Sequence, residues 1–532
     1  MMGRDSGQKS LFDVGPMIQH KIEPGSIYQI LHESGDEYIS DEDFADMYHP
    51  TRGRYSRPPS LLAKILLLQC YEGVSDREAI RRTQFDLRWQ YALGLPLNYE
   101  GFPHSNLNHF RTRLLVHNKE RIVFEKLNQL AVEVGVLKPN AQQAVDSSHI
   151  FGAARVQDSY ELLHSSLRKL LEEILQQAPE AGEDFIEQHC LRGYLSDDKP
   201  EIDWSSAEAR AKWLQKTVTT ARKVLQALDG SDLATAEVIE AAGLLSKILQ
   251  QDVTAPEDEN DDGPRLKRGV AQDRIISTND TEMRHGRKSS SRRFDGYKAH
   301  IIEDIDSELI TEVAVTSGNA HDSEPLEDMI DRQKETLGDT PDTLIGDSHY
   351  GIPDNRVKLK RRHIEMVAKL PKGTHTNNGK FSKADFTIEK DRVTCPAGYT
   401  TEKIYQARDH RNRKVKKFQF PADVCRDCPK RKQCTTAKNG RSITLHYHQD
   451  VVDEVADFNE TEKFEQIYRK RAIVERKISE LLYRHRLRFG RYIGKKKIQM
   501  QALWTAAVVN LKKLGKLVPE LFGLEPVGAR AS

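Results

Sequence analysis

The 532-residue sequence lacks a long apolar run, since no stretch approaches the ~20 consecutive apolar residues of a membrane-spanning helix. Its first residues, MMGRDSGQKSLFDVG, also lack the apolar core of a secretory signal. We therefore expect a cytoplasmic protein with no membrane partner. The length is several times that of a typical domain, which predicts several domains or one domain with large insertions.

The sequence has little net charge, +1 at pH 7, but its charges are unevenly distributed. Residues 468–497 contain 12 Lys or Arg and two acids, and residues 411–432 contain nine bases and two acids. A neutral protein with concentrated basic segments is expected to contact a polyanion locally. Ordinary solvated surface is the alternative for either segment.

Cysteine is scarce, and four of the six cysteines lie within 40 residues of one another. In a cytoplasmic protein such a cluster indicates metal binding before disulfides. The candidate ligands of one structural Zn²⁺ are Cys395, Cys425, Cys428 and Cys434. Only one C-x2-C pair is present, so unligated or redox-active thiols remain the alternative.

Apolar residues recur at helical spacing between residues 60 and 135, where Ser75 and Glu78 form a capping box. Short helices that carry arginines are typical of a helix-turn-helix DNA-binding domain, or of a helical bundle with a basic surface. The arginines in question are Arg77, Arg81, Arg82, Arg88, Arg111 and Arg113.

Strand patterns follow this helical region. Residues 141–154, AQQAVDSSHIFGAA, predict a strand that contains Asp146, and residues 296–320 predict two strands joined by DIDS. TLIGDSHYG predicts a buried strand that ends at Asp347, and helical spacing returns from about 455 to 515, around Glu475. The alternation predicts an α/β fold, a mixed sheet covered by helices, in which the three acids converge at one edge.

The three acids have no Ser or Cys nucleophile arrangement near them, so they indicate divalent-metal chemistry. Mg²⁺ prefers oxygen ligands, and two ions about 3.5–4 Å apart stabilise the attacking and leaving oxygens of phosphoryl transfer. We therefore expect Asp146, Asp347 and Glu475 to be catalytic and to bind Mg²⁺ (or Mn²⁺), with two ions expected.

A single helix over 468–482 would place Tyr468, Arg471, Glu475 and Leu482 on one face. The adjoining apolar stripe would comprise Phe464, Ile467, Val474, Ile478 and Leu481. Cations around Glu475 would then contact DNA phosphates. The candidate DNA-binding residues are Tyr468, Arg471, Lys477, Arg484, Arg486, Arg292 and Arg293.

Polar residues near the acids leave alternatives open. His321 and His349 are expected to form hydrogen bonds or pack rather than to bind metal. Asp322 is either a neighbour of the site or a charge at a helix N-terminus. Lys298 is either a DNA contact or part of a solvated basic loop.

The ordered motifs resemble bacterial insertion-sequence transposases of the DDE class. AVDSSHIFGAA, LIGDSHYG and YRKRAIVERKISEL are similar to the segments that carry the family's acid triad. The last segment resembles the Tyr-x2-Arg-x3-Glu-x6-Lys signature, except that Leu482 stands at the Lys position. GNAHD at 318–322 and the N-terminal HPTRGRYSRPPSLLAKILLLQCYEGVSDREAIRR also resemble the family. CPAG at 395–398 and the cysteines at 425–434 resemble a subgroup with a cysteine-bearing insertion before the catalytic Glu.

The resemblance implies a ribonuclease H-like core, dependence on Mg²⁺, and movement of a DNA element by cleavage of its ends and attack of the freed 3′-hydroxyl on target DNA. The implied partners are transposon-end DNA, target DNA and further copies of the chain in a dimer or larger assembly. The protein would be cytoplasmic, and associated with the nucleoid when bound to DNA.

The expected segments are a helical N-terminal DNA-binding domain (1–140), a first core strand (141–156), a helical insertion with an acidic linker (157–274), the catalytic core (275–380), a cysteine-bearing insertion (381–450), C-terminal catalytic helices (451–515) and a tail (516–532). Two other functions remain open. One is a metal-dependent nuclease of the same fold without strand transfer, and the other is an inactive DNA-binding descendant, which Leu482 favours.

Overall fold

A computed structural model describes most of the chain. The described residues are 1–4, 12–196, 202–254, 263–289, 291–370, 380–389, 391–408 and 414–524. Part of the predicted acidic linker (255–262) and the end of the predicted tail (525–532) lie outside them. In the described part of the chain, no helix combines the length and apolar character needed to cross a membrane.

A six-stranded mixed sheet lies at the centre of the structure. Its strands are β1 (Gln142–Phe151), β2 (Arg284–Arg287), β3 (Arg293–Asp304), β4 (Ile310–Ser317), β5 (Thr343–Ile345) and β6 (Glu365–Val367). The spatial order is β4-β3-β1-β5-β6, and β2 pairs with the first residues of β3. β1 is antiparallel to β3 and parallel to β5, and β6 is parallel to β5. The predicted mixed α/β architecture is confirmed, whereas the sequence patterns missed β2.

Seven helices precede the sheet. They are α1 (Gly15–Ile18), α2 (Ile27–Tyr38), α3 (Pro59–Glu72), α4 (Asp76–Phe85), α5 (Leu87–Leu93), α6 (Ser105–Val116) and α7 (Ile122–Glu133). Two 3₁₀ turns, Gln19–Lys21 and Asp41–Met47, lie between them. The predicted cap at the start of α4 is present, because Ser75 Oγ accepts a hydrogen bond from the Glu78 N–H at 3.2 Å.

Four helices between β1 and β2 form a separate bundle. They are α8 (Ser159–Gln177), α9 (Pro179–Gln188), α10 (Ala207–Leu228) and α11 (Ala236–Asp252), with a 3₁₀ turn at Arg192–Tyr194. Their apolar faces enclose a hydrophobic cluster that is distinct from the core of the sheet. The insertion therefore supplies much of its own stabilising burial.

Two helices cover one face of the sheet, α12 (Leu326–Leu337) and α13 (Pro353–Lys360). The cysteine-bearing region that follows is built of short strands. These are β7 (Thr387–Ile388), β8 (Val393–Thr394), β9 (Thr400–Thr401), β10 (Ile404–Arg408), β11 (Lys414–Gln419) and β12 (Ser442–His446). They carry a 3₁₀ turn (Lys383–Asp385) and the short helices α14 (Ala422–Arg426) and α15 (Arg431–Cys434).

The C-terminal helices are α16 (Gln449–Asn459), α17 (Glu462–Tyr468), α18 (Ala472–Ser479) and α19 (Lys495–Leu517), followed by a 3₁₀ turn at Pro519–Phe522. α19 is buried along most of its length because it packs between β4 on one side and α3 and α7 on the other. One hydrophobic core therefore contains side chains of the N-terminal helices, the sheet and α19.

The predicted single helix over 468–482 is wrong in detail. A 3₁₀ turn, Arg469–Arg471, separates α17 from α18, and α18 continues into a π turn, Glu480–Arg484. A π turn contains an extra residue and therefore rotates the side chains that follow it. As a result Leu481 and Leu482 are both buried, and Leu482 does not share the exposed face of Glu475. The predicted apolar stripe is confirmed, since its five side chains pack in or against the core.

An inward-facing cation holds α18 on the sheet. Lys477 is 6% exposed, and its Nζ lies 3.6 Å from Glu303 Oε1 of β3 and 3.8 Å from Glu480 Oε2. Both Glu303 carboxylate oxygens are buried without a hydrogen-bond partner. Burial raises the pKa of Glu303 to about 7, although the charge of Lys477 opposes the shift.

The raised pKa of Glu303 predicts a pH-dependent stability difference. Its contribution to stability is fully present below about pH 4.5, the unfolded-state value, and is lost as the pH rises through about 7. Glu303→Gln mimics the protonated form at every pH. We expect this variant to gain stability relative to wild type as the pH rises from 5 to 8. Its free energy of unfolding, minus that of wild type, should increase by up to ~3 kcal/mol.

Urea unfolding of both proteins at the two pH values measures this difference. The stability difference between Glu303→Gln and wild type is taken at each pH. Any pH-independent cost of leaving Lys477 with only Glu480 as a partner then cancels when the two differences are compared. Glu365→Gln, at an exposed glutamate of β6, is the control and should show a much smaller change. A relative stability that does not change with pH would contradict the raised pKa.

Candidate active site

The pairing of β1 with β5 brings the two predicted aspartates together. Ala144 of β1 pairs in parallel with Ile345 of β5. Asp146 and Asp347 each follow two residues later, so the register carries them to the same level of neighbouring chain segments. Alternation along β1 gives Asp146 and Ala144 the same face of the sheet.

Asp146 lies in a largely buried position beside a cation. Its side chain is 17% exposed, its Oδ2 lies 3.2 Å from Arg471 Nη1, and its Oδ1 accepts a hydrogen bond from the Ser147 N–H at 2.8 Å. Burial raises the pKa of Asp146 to about 6, and the charges of Asp347 and Glu475 act in the same direction. A cation at this position would therefore be strongly favoured.

Glu475 is joined to Asp146 by the same arginine. The Arg471 Nη2 atom forms an ion pair with Glu475 Oε1, four residues later on the helical segment. The Glu475 side chain is 52% exposed and so faces solvent at the rim of the site. Tyr468 lies under this arginine, with its ring centroid 5.9 Å from Arg471 Cζ, and stacks on Phe464. The structure thus brings the three predicted acids to one place.

Asp347 is oriented by the turn that follows β5. Its Oδ1 accepts hydrogen bonds from the N–H groups of His349 at 2.8 Å and Tyr350 at 3.2 Å. Its Oδ2 lies 3.7 Å from His349 Nδ1. The carboxylate is therefore held in a defined direction before any ligand binds.

Asp322 and His349 complete a cluster around Asp347. Ligand atoms of these three residues all lie within 4.8 Å of one another, which is the kind of group that can hold a metal ion. Lys298 Nζ lies 2.8 Å from Asp322 Oδ1 and donates to the Ala320 carbonyl. Burial alone would raise the pKa of Asp322, but hydrogen bonds from His349 and Lys298 outweigh it and lower the pKa.

This cluster answers the questions that the sequence left open. Asp322 is a neighbour of the site rather than an N-terminal helix charge, because α12 begins only at Leu326. Lys298 pairs with Asp322 and is 15% exposed, so it is directed to the site and not to a basic surface loop. The GNAHD motif was the available signal for Asp322, but only the fold shows that it lies beside Asp347.

A buried polar network lies beneath the site. His300 Nδ1 lies 2.7 Å from the Tyr350 hydroxyl, and His300 Nε2 lies 2.9 Å from the Thr316 hydroxyl. Burial lowers the pKa of His300 to about 4, so the imidazole is neutral at physiological pH. The network connects β3 and β4 to the turn that carries Asp347.

The donor set of the site fits a hard divalent cation. Asp146, Asp347 and Glu475 present carboxylate oxygens, with Asp322 adjacent, and oxygen ligands are what Mg²⁺ prefers. Burial is the main cause of the raised pKa of Asp146, and the charges of Asp347 and Glu475 add to it, so a bound cation would stabilise the ionised carboxylate. His349 could add one nitrogen ligand, which suits Mn²⁺ as well.

The predicted DNA-binding residues divide into three groups. Lys477 is buried against Glu303, so its placement contradicts the predicted DNA contact. Arg471 and Tyr468 belong to the acidic site itself. Arg484 is exposed on the π turn, whereas Arg486, Arg292 and Arg293 line an open groove of about 850 Å³ beside it.

This basic groove also contains aromatic side chains. Tyr483 and Phe489 are 69% and 62% exposed, and Phe489 stacks on Phe151 of β1. Arg488 Nη2 lies 3.1 Å from the Tyr483 hydroxyl. Cations beside exposed rings are suited to a nucleic-acid strand, because rings stack on bases and cations contact phosphates. Leu482 forms part of the groove floor.

The four clustered cysteines line one small cavity. Cys395, Cys425, Cys428 and Cys434 surround a space of about 20 Å³, enough for a single water-sized occupant. The Cys425 Sγ accepts a hydrogen bond from the Arg441 N–H at 3.3 Å. Among the described residues, only the Asp322 cluster has three or more candidate ligands within 4.8 Å, so the thiols surround the cavity without closing on it.

The Asp322–His349 contact predicts a measurable titration. The hydrogen bond to Asp322 is the main cause of a raised His349 pKa. We expect Asp322→Asn to lower the His349 pKa in metal-free protein, measured by NMR titration of the imidazole. Asp328→Asn, at an exposed acid of α12, should leave it unchanged. Equal titration in wild type and Asp322→Asn would contradict this contact.

Comparison with protein-family models gives two matches. Residues 394–515, a segment that includes Glu475, match the family described as "Transposase DDE domain". Residues 16–113 match the family described as "Transposase domain (DUF772)". No curated protein and no solved structure matches the chain. The two family matches lie on either side of the sheet segments in the sequence, and together they indicate an insertion-sequence transposase of the DDE class, a family of divalent-metal-dependent DNA-cleaving enzymes.

Proposed function

We propose that Asp146, Asp347 and Glu475 are the catalytic acids, and that they cleave the ends of the element and transfer the freed 3′ ends to target DNA. The observation that carries this proposal is the contact of Arg471 with both Asp146 and Glu475, beside Asp347. The three acids come from chain segments that are far apart in the sequence. A simple surface ion pair between Arg471 and Glu475 would not bring the other two acids to the same place.

The strand order supports a ribonuclease H-like core. Three antiparallel strands, β4-β3-β1, continue into the parallel strands β5 and β6. Asp146 lies on the central strand, Asp347 follows the neighbouring strand, and Glu475 lies on a helix packed against β1. This arrangement supports one catalytic site shared by the three acids.

Asp146, Asp347 and Glu475 would hold Mg²⁺ or Mn²⁺, with Asp322 and His349 adjacent. The bound cations supply charge stabilisation of the attacking and leaving oxygens during phosphoryl transfer. The residues of the chain prepare this site. The Asp347 turn fixes one carboxylate, and Arg471 holds the separation of the other two. Lys298 and Asp322 hold the His349 side of the cluster.

The basic groove supports the assignment of DNA as substrate. Arg292, Arg293 and Arg486 lie in the groove that opens next to the π turn of the catalytic segment. Leu482 and Tyr483 of the groove lie on the π turn that directly follows α18, the helix that carries Glu475. We further propose that transposon-end and target DNA are both bound by a dimer or larger assembly, since two ends must be paired for insertion.

Isosteric substitutions test the catalytic acids. Asp146→Asn, Asp347→Asn and Glu475→Gln remove a charged metal ligand while keeping side-chain volume. We expect each to reduce Mg²⁺-dependent cleavage by at least ~10²–10³-fold, with DNA binding retained. The assay is cleavage of a supercoiled plasmid that carries the DNA flanking the coding sequence.

The chain offers a matched control for two of these variants. Glu465→Gln changes a glutamate of α17 that, like Glu475, pairs with an arginine four residues away. Asp342→Asn changes an exposed aspartate at the opposite end of β5. Both should cleave at wild-type rates. Full activity in any of the three test variants would show that the wrong acid was assigned.

The products distinguish the remaining functions. Breaks at the element ends, followed by joining to an added target plasmid, support the transposase. Acid-dependent cleavage at scattered sites without joining would indicate a nuclease of the same fold. Tight binding of the ends without cleavage under Mg²⁺ or Mn²⁺ would indicate an inactive descendant, and Leu482→Lys would then test the departure from the family signature.

We also propose that the cysteine cavity binds one structural Zn²⁺. Thiolates are strong zinc ligands, and the tetrahedral geometry needs four of them. The Arg441 N–H that donates to Cys425 would stabilise a thiolate there. Among the described residues of this region, the hydrophobic core consists of six buried apolar side chains, so a metal would add substantially to its stability.

Metal analysis tests the zinc proposal. We expect purified protein to contain about one zinc per chain. Cys428→Ser should lower the zinc content and the thermal stability of the cysteine region. Cys190→Ser, at an exposed cysteine of the helical insertion, should change neither. Zinc-free wild-type protein, or equal zinc in Cys428→Ser, would exclude a zinc site formed by these thiols.

A further inference from the structure

We propose that α6 and the adjoining segment 48–57, here called the basic arm, form the surface that reads the duplex sequence at the ends of the element. This inference rests on the proposed function, because it identifies how the enzyme would recognise its own DNA.

The outward face of α6 is polar and carries one cation, Arg113. Its exposed residues include Ser105, Asn108, His109 and Thr112, whereas Leu107, Phe110 and Leu114 anchor the opposite face in the core. Amide, imidazole and hydroxyl groups can donate to and accept from base edges, and Asn pairs well with adenine. The Thr112 hydroxyl donates to the Asn108 carbonyl at 3.0 Å, which fixes its rotamer.

The arginines that the sequence singled out in this region mostly pair with acids of the same or neighbouring helices, whether they are buried or exposed. Arg111 is buried and pairs with Asp76, with Nη1 3.0 Å from Oδ1, which ties α6 to the start of α4. Arg88 pairs with Asp86 at 2.7 Å. Arg82 pairs with Glu72 and Glu78. Of these pairs, Arg111–Asp76 and Arg82–Glu72 hold neighbouring helices together. Arg77 and Arg81 remain exposed on α4, but that helix also carries Asp76 and Glu78, whereas α6 has no acid.

The basic arm runs beside α6 and is anchored near both of its ends. At the start of the arm, the Tyr48 ring lies under Arg113 of α6, 4.6 Å from its Cζ. At the end of the arm, Arg57 Nη2 donates to the Gly101 carbonyl at 3.3 Å, and Arg57 packs over Phe102. Between these anchors, residues 49–55 are exposed.

The charge of this surface matches a polyanion. No Asp or Glu occurs between residues 47 and 71 or between residues 101 and 119, which together include the arm and the whole of α6. The arm presents Arg52, Arg54 and Arg57 to solvent. Asp46, which precedes the arm, is paired with Lys119 at 2.9 Å. Phosphates could therefore approach without meeting an unpaired carboxylate from these segments.

The dimensions also suit a duplex. A 12-residue helix such as α6 is about 18 Å long, and the major groove of DNA is about 12 Å wide and admits one helix. A basic arm beside a reading helix can follow the phosphates or enter the adjacent minor groove. α6 would thus supply specificity, and the arm would supply affinity.

Binding measurements separate the two roles. The probes are a duplex copied from the DNA that flanks the coding sequence and a shuffled duplex of the same composition. We expect the Asn108→Ala/Thr112→Ala double variant to weaken binding of the flanking duplex about tenfold or more, with binding of the shuffled duplex unchanged. Arg52→Ala/Arg54→Ala should weaken both, and lower the slope of log K against log salt by about 1 for each phosphate that is no longer neutralised.

Variants of α10 are matched controls, since this helix is equally exposed and lies in the helical insertion. Gln226→Ala controls for loss of an exposed amide, and Arg222→Ala/Lys223→Ala controls for loss of two exposed cations. Both should bind like wild type. Thermal unfolding of every variant should match wild type, because no substituted side chain contributes to the core.

Two outcomes would overturn the inference in distinguishable ways. If wild type prefers the flanking duplex and the α6 variant keeps that preference, the reading surface lies elsewhere, while the catalytic proposal stands. If wild type does not discriminate between the duplexes, both this inference and the proposed recognition of element ends fail.

Discussion

The fold of the catalytic site depends on two cations of the C-terminal helical segment. Arg471 pairs with Asp146 on β1 and with Glu475 on its own helix, and Lys477 pairs with Glu303 on β3. A helix that carries a carboxylate toward other acids is repelled by them unless positive charge intervenes. These arginine and lysine contacts supply that charge, one at the surface of the site and one inside the protein. The Arg471 contact leaves Glu475 half-exposed, and the Lys477–Glu303 contact prevents the helix from sliding along the sheet.

Short-range patterns in the sequence predicted most of the order of strands and helices and indicated three acids as candidates for one site. β1, β3, β4 and β5 each have an apolar run bounded by turn residues, and these runs match the observed strands closely. Asp146 and Asp347 were recognisable because each interrupts or ends such a run. The resemblance to a transposase triad then linked them to Glu475, and the parallel register of β1 with β5 explains why two acids 201 residues apart reach the same level.

The remaining features depend on contacts between distant segments and had no local pattern. Lys477 looked like one more cation in a basic run, and only the fold reveals Glu303 as its partner. The π turn at Glu480–Arg484 cannot be seen in helical periodicity, because its extra residue follows from the need to bury Leu481 and Leu482 and return the chain to β1. Asp322 and His349 come from different loops, and neither loop alone indicates that they meet beside Asp347.

The shared core has a consequence for how recognition and cleavage are related. α6 buries Leu107, Phe110 and Leu114 in the same hydrophobic core that contains Val474 and Leu481 of the catalytic segment. α19 lies between them, packed on α3 and α7 on one side and on β4 on the other. Close-packed interiors transmit displacement rather than absorb it, so DNA held by α6 would occupy a fixed direction relative to Asp146. On the proposed assignments, the N-terminal helices would act as a rigid guide to the site, and the packing of α19 would determine the separation between the recognised sequence and the cleaved bond.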